Sequence, residues 1–446
     1  MFTVHQHWDP LKVCAVGRSY PPEFYNRIQN PRVRDVMKRI AIETEEDYQK
    51  LISKLKEFDV EVIRTDVSED DEVYVNKGVL NVPPPMCPRD YTAMVGDTFY
   101  MPGDNYGKNF DVNLVMSQIY ENIYCNKGTQ AGYTISKEII DFIEPNNTYS
   151  PQESFYALRK RMYRGEARPH HFTNINIKLE KRSIPALKLK KWMDFKPLIE
   201  KIIQSQTLTI GSNFKFPNNH RYYSFQTIKK WLEDHNVPIK YDTYVNSAMM
   251  TRVGKDLFFG SMNVVNDLNK EQFSRKWREL FPDYNVHALT VSGHCDGSFC
   301  PVVPGLIIAV EDSDTFKDTF PDWEVVELPG ESWHKVKPFE RLKGKNKGKW
   351  WIPGEEYNDE LIDYIETWLS DWVTYVEESV FDVNMLVINK NNVICNGYNK
   401  KVYDAFERFN ITPHVVNFRH RYFWDGGLHC ITSDIAREGK QENYFA

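Results

Sequence analysis

Leu55-Lys56-Glu57-Phe58-Asp59-Val60-Glu61-Val62-Ile63 reads as the end of a helix, a short turn at Asp59 and the start of a β-branched strand. The same phrase recurs at Leu232-Glu233-Asp234-His235-Asn236-Val237-Pro238-Ile239. Three further copies follow: residues 280–289 around Pro282-Asp283-Tyr284-Asn285, 319–328 around Pro321-Asp322-Trp323, and 406–418 around Asn410-Ile411. Strand-like segments precede the helices at Val13-Cys14-Ala15-Val16, residues 91–101, Asp256-Leu257-Phe258-Phe259, Leu306-Ile307-Ile308-Ala309-Val310 and Met385-Leu386-Val387-Ile388. Five helix-to-strand units interleaved with strands predict a repeated α/β module. Periodicity alone leaves an ordinary α/β sandwich equally open, because helix-turn-strand is also its commonest phrase.

Uneven spacing between the copies locates two insertions, at about 104–212 and 330–378, in what otherwise reads as a single domain over 1–446. The first holds the basic run Arg159-Lys160-Arg161-Met162-Tyr163-Arg164, which reads as a solvated helix face. The second holds Lys343-Gly344-Lys345-Asn346-Lys347-Gly348-Lys349-Trp350-Trp351. That run lacks the Gly-Lys-Ser/Thr ending of a phosphate-binding loop and is expected to be an exposed loop. Residues 364–376 carry aromatics at helical spacing and are expected to pack into the core.

The chain has 446 residues, 41% of them hydrophobic, which suffices for a large core. No apolar run approaches the roughly 18 residues of a membrane span, and residues 1–10 lack the pattern of a signal peptide. The expectation is a soluble, cytoplasmic protein. A net charge of −6 with interspersed signs points away from nucleic acid as a partner. Seven cysteines, odd in number and without a Cys-x-x-Cys pair, argue for reduced thiols and against a disulfide framework. Cys295 and Cys300 lie five apart beside His294, but a closed zinc site needs four ligands at recognised spacings.

The chemistry-bearing stretch is Asp425-Gly426-Gly427-Leu428-His429-Cys430-Ile431-Thr432-Ser433-Asp434. Two glycines remove side chains where another group must approach and permit positive φ, so a thiol after them can face a cleft. A cysteine attacks as the thiolate, so it needs a partner. His294 in Gly293-His294-Cys295-Asp296-Gly297-Ser298-Phe299 is the candidate. On a strand, His294 and Asp296 would share a face. Read on chemistry alone, a lone cysteine such as Cys430 is more often a small buried hydrophobe than a nucleophile, and a lone histidine such as His294 more often a structural ring.

His-x-Asp followed by Pro304-Gly305, and later Gly-Gly-x-His-Cys, resembles the glycine and inosamine amidinotransferases, a branch of the guanidine-modifying pentein superfamily. Trp8-Asp9-Pro10-Leu11 running into Val16-Gly17-Arg18, and Pro88-Arg89-Asp90, are similar to that family's motifs and stand in its order. The resemblance implies an α/β propeller of five ββαβ modules around a pseudo-fivefold axis, and five copies is the number seen. It implies that Cys430 attacks the guanidinium carbon of L-arginine, that His294 protonates the departing amine, and that Asp90 and Asp296, with Arg89 of the same tripeptide, bind the donor. An amidino group carried on Cys430 would pass to an amine acceptor and ornithine would leave, with no metal or organic cofactor. Homodimers are common in the family and one is expected here.

Two departures from the pattern bear on this. Where the family has an aspartate paired with the catalytic histidine, ungapped alignment places Asn246, with Asp242 four residues earlier. An amide can orient an imidazole but cannot balance its charge. After Pro304-Gly305 the family's carboxylate-binding arginine is replaced by Glu311-Asp312-Ser313-Asp314, which disfavours glycine as acceptor. Two rivals share these residues: a guanidine hydrolase in which water takes the amidino group, and a guanidine-binding pentein that has lost turnover.

Overall fold

The computed structural model describes residues 2–67, 83–103, 224–260, 267–310, 316–328 and 342–445, apart from short breaks within them. Residues 104–212 of the first expected insertion, 330–341 of the second, and the acidic segment 311–314 lie outside the described residues.

All five predicted helix-to-strand turns are present. They join α1 (Pro31–Glu57) to β2 (Glu61–Arg64), α2 (Gln226–Asp234) to β5 (Ile239–Tyr241), and α3 (Asp267–Leu280) to β8 (Asn285–Leu289). A turn around Asp322 leads into β11 (Glu324–Leu328), and α7 (Lys400–Arg408) leads into β14 (Thr412–Val415). The Asp or Asn in four of these turns is left-handed, with φ of 57° at Asp59, 54° at Asn236, 66° at Asp322 and 55° at Asn410. Short polar side chains tolerate that conformation better than other non-glycine residues. It lets the next amide reach back to a helical carbonyl, as in Val60 N to Leu55 O (3.1 Å), Val237 N to Leu232 O (2.9 Å) and Ile411 N to Phe406 O (2.8 Å). Helix stop and strand start are thus encoded by one residue.

Each returning strand pairs in parallel with the second strand of a hairpin. The hairpins are β3 (Ala93–Val95) with β4 (Thr98–Met101), β6 (Met250–Val253) with β7 (Asp256–Gly260), β9 (Phe299–Val303) with β10 (Leu306–Val310), and β12 (Leu386–Asn389) with β13 (Asn392–Cys395). Parallel partners are β5 on β4, β8 on β7, β11 on β10 and β14 on β13. The fifth sheet joins the two ends of the chain. Here β1 (Leu11–Val16) runs antiparallel to β15 (Thr432–Arg437), from Leu11↔Arg437 to Val16↔Thr432, and parallel to β2. The result is five ββαβ modules, the pentein arrangement expected from the sequence.

Helix α1 shows how a module is held. Pro31 starts it, the Asn30 side chain accepts from Arg32 N, and Val33, Met37, Ile40, Tyr48, Leu51 and Leu55 form one buried face. Burying a side chain such as Leu51 stabilises by roughly 1.5–3 kcal/mol, and truncation to alanine costs about 2–5 kcal/mol. Trp372 and Ile365 lie in the same cluster, and Trp372 stacks with Trp424 at 5.8 Å between ring centres, in keeping with the core role expected for 364–376. The lysine-rich stretch is only in part the exposed loop expected: Gly344 and Lys345 are exposed. Asn346, Lys349 and Trp350 are buried, and Trp350 Nε1 donates to Glu366 at 2.7 Å, because an indole this large is stabilised more by the core than by solvent. No helix of the described residues is long and apolar enough to cross a membrane.

Candidate active site

Equivalent positions in the five modules supply the site: the segment leading into each module's first strand. Asp90 ends a 3-10 turn, Pro88–Asp90, ahead of β3. Asn246 precedes β6, and His294 with Asp296 precedes β9. Cys430 precedes β15, and before β12 stands Asn384, which the motif reading missed.

Cys430 is buried, and its Sγ lies 3.2 Å from Oδ2 of Asp296 and 2.9 Å from Nδ2 of Asn384. Burial pushes the thiol well above its ordinary pKa, and the charges of Asp296 and Asp90 push it further. At rest Cys430 is therefore a thiol, donating to Asp296. The same Oδ2 of Asp296 meets Nδ1 of His429 at 3.0 Å, while Oδ1 of Asp296 is buried without a hydrogen-bond partner among the described residues. Burial raises the Asp296 carboxyl, but the hydrogen bond from His429 and the cationic charge of His294 and Arg89 outweigh it and leave it below the usual carboxylate value. An ionised carboxylate with an open buried oxygen is a place for a guanidinium N–H.

His294 and Asp296 do not lie on a strand. Residues Cys295–Ser298 form a single helical turn, α4, with His294 as its N-cap. The two side chains consequently differ in exposure: that of His294 is 46% exposed and that of Asp296 is 3%. Nδ1 of His294 is 3.7 Å from Oδ1 of Asp90. Burial opposes protonation of His294, but Asp90, Asp296 and Asp425 together raise its pKa above the ordinary value. Asn246 accepts from Met249 N at 3.0 Å and Asp242 from Val245 N at 3.2 Å, so both hold the turn that leads into β6. The charge that the sequence lacks at 246 is supplied to His294 by three other carboxylates.

Asp425 also corrects the reading of the two glycines. The left-handed residue is Asp425, with φ of 50°, and neither Gly426 nor Gly427 has positive φ. What requires the glycines is close approach: a Cβ on Gly427 would stand 2.6 Å from Oδ1 of Asn384, and one on Gly426 would stand 2.9 Å from Sγ of Cys87.

Arg89 is fully buried, and its Nε donates to the carbonyls of His429 (2.8 Å) and Thr432 (2.9 Å). Its guanidinium also pairs with Asp434 at 2.9 Å. Arg252 grips both oxygens of Asp434 at 2.8 Å, and Arg437 reaches Oδ2 at 2.9 Å. One buried carboxylate therefore gathers three guanidinium groups under the Cys430 turn. The structure gives Arg89 a place beneath Cys430 as a clamp on the backbone of that turn. His7 stacks on His429 at 5.4 Å and closes the same layer.

Cys295 and Cys300 are core thiols. Cys295 Sγ faces the Met249 carbonyl at 3.2 Å, and burial pushes Cys300 up to about 12. Among the described residues no group of three or more His, Cys, Asp or Glu side chains is arranged to hold a metal ion.

Known proteins share sequence with part of the chain. Over 213 residues, 47% of this chain and 42% of the relative, the sequence is 26% identical to the mitochondrial glycine amidinotransferase of Xenopus laevis. Over 233 residues, 49% of this chain and 53% of the relative, it is 24% identical to the L-arginine:L-lysine amidinotransferase of Pseudomonas savastanoi pv. phaseolicola. The chain thus spans about half the length of the curated relatives it matches. A similar solved structure is SxtG, an amidinotransferase from Microseira wollei, at 15% identity and a TM-score of 0.47 over 100% of this chain and 99% of that one. No family model matches the chain. Over about half its length the chain is thus similar in sequence to amidinotransferases, in line with the resemblance read from the motifs.

Proposed function

We propose that the chain is an amidinotransferase that moves the amidino group of L-arginine to an amine through a covalent adduct on Cys430, releasing ornithine. The observation that carries this reading is the Cys430 sulfur 3.2 Å from the buried carboxylate of Asp296, with Asp90 and the half-exposed His294 beside it. Such a site repels anions and keeps its nucleophile quiet. A planar cation that donates to the open Oδ1 of Asp296 and to Asp90 offsets both charges, so the thiolate forms where the guanidinium is bound.

The bound guanidinium cation disfavours the imidazolium, so with arginine in place His294 is neutral and takes the thiol proton. The thiolate then adds to the guanidinium carbon, the imidazolium of His294 protonates the departing nitrogen, and ornithine leaves as the free amine. The cationic amidino-thioether remains. In the second half-reaction an amine adds to the same carbon and His294 accepts its proton. The carbon–sulfur bond breaks, the amidino product leaves, and the imidazolium returns its proton to the thiolate, restoring the resting thiol. Both halves use one site, so ping-pong kinetics follow.

The carboxylates Asp90, Asp296 and Asp425 around His294 favour a neutral or cationic amine, such as a diamine, over an acceptor led by its carboxylate. The L-lysine in the name of the Pseudomonas relative carries an amine of this class. Residues 1–446 act as one catalytic domain, working as a homodimer in the cytoplasm. The test is ornithine release from arginine with and without a panel of amines. Turnover that depends on the amine and yields its amidino product supports the reading. Release of citrulline or urea without added amine would replace it with a hydrolase.

A further inference from the structure

Four modules place an expected site residue just before their first strand, and in the fifth that position is Asn384. Its side chain is buried and fully engaged. Oδ1 accepts two consecutive backbone amides, His429 N and Cys430 N, both at 3.0 Å. Nδ2 donates to the Asp296 carbonyl at 3.0 Å and to Cys430 Sγ at 2.9 Å. The amide cannot be turned over, because its NH2 group would then confront two N–H donors. One N–H is therefore fixed on the sulfur.

We propose that Asn384 is a catalytic residue that stabilises the Cys430 thiolate by a fixed N–H donor, a role that rests on the amidinotransferase reading above. A neutral thiol accepts this bond weakly and an anion accepts it strongly, so the interaction grows as the nucleophile forms and again as it departs in the second half-reaction. Asn384 thereby opposes the anionic carboxylates that keep the thiol protonated at rest. Gly427 belongs to the same device, since any Cβ there would collide with Oδ1 and push the amide off the sulfur.

Three variants test this on the full chain: Asn384→Asp, which keeps shape and the acceptor for both backbone amides, Asn384→Ala, which adds no charge, and Gly427→Ala. The readouts are the pH profile of iodoacetamide alkylation at Cys430, followed by peptide mass spectrometry, and the kinetics of ornithine release. All three should alkylate roughly 10- to 100-fold more slowly at a given pH, the size of one hydrogen bond to a charged group, with the profile moved to higher pH. Ornithine release should lose kcat with little change in KM for arginine, which a merely structural defect would not select. Profiles coinciding with wild type in folded Asn384→Ala and Gly427→Ala overturn the proposal, as does a shift confined to Asn384→Asp, which would be the effect of added charge alone. A shift in all three without ornithine release from wild type upholds the thiolate role and overturns the amidinotransferase reading instead.

Discussion

Asp296→Asn should move two properties of the site in opposite directions. The carboxylate lies 3.2 Å from the sulfur, where two unit charges at an effective dielectric constant of about 20 interact by roughly 5 kcal/mol. Removing that repulsion favours the thiolate, and even a third of it corresponds to about a tenfold change. Resting Cys430 should therefore alkylate at least about tenfold faster in the variant at neutral pH. Arginine binding should weaken, because the charge-assisted hydrogen bond to the buried Oδ1 is worth about 1.5–3 kcal/mol, a rise in KM of roughly 10- to 100-fold. The assay pairs iodoacetamide labelling of Cys430 with steady-state ornithine release, and near-ultraviolet circular dichroism checks packing. The side chain is shape-conserved, and an asparagine can still accept from His429 Nδ1, so the fold should persist. Slower or unchanged alkylation in a folded variant would refute the electrostatic account of the resting thiol.

Other consequences follow from the same geometry. His429 is pushed down to about 4, first by burial and then by the charge of Arg89, which together exceed the pull of Asp296. Its folded pKa is below its unfolded value, so unfolded chains take up the proton first. Stability is fully present above about pH 6.5 and falls as pH drops towards about 4, by roughly 3 kcal/mol from this group. Urea unfolding between pH 7 and 4 should show that contribution, and His429→Gln should make the slope shallower, with the equally buried His7 supplying part of what remains. Asp434→Asn leaves three buried guanidinium groups without their common counter-charge and should cost about 3–5 kcal/mol, read as a lower urea midpoint at unchanged m-value. Asn246→Asp should leave the pH midpoint of turnover nearly unmoved, because Asp90, Asp296 and Asp425 already charge the surroundings of His294; a large upward shift would show that position 246 governs the imidazole.

The parts of the fold legible in the sequence are those encoded locally. A left-handed Asp or Asn at Asp59, Asn236, Asp322 and Asn410 sits between a helix and its strand, within a window of about ten residues, and such turns can be counted without knowing what packs on them. The motif residues were legible because chemistry restricts them: a thiol after glycines, an imidazole near a carboxylate. What escaped depends on distant partners. Asn384 meets Cys430 across 46 residues and Asp296 across 88, and nothing in Val383-Asn384-Met385 announces either contact. A faint signal was present, since a polar residue opening an apolar strand occupies the position that other modules give to site residues. The cluster of Arg89, Arg252 and Arg437 on Asp434 draws on three modules and is likewise invisible in any local window. The short helix after His294 was misjudged as a strand because its four residues are too few to show a period.

The central claim is that arginine leaves its amidino group on Cys430. Intact-protein mass spectrometry after brief exposure to arginine without an acceptor measures this directly, with peptide mapping to locate the adduct. The account predicts one added amidino group per chain, carried by Cys430, formed with one equivalent of ornithine and discharged by an amine. Ornithine release with an amine present but no adduct in its absence, or an adduct on any of the other cysteines, would contradict it.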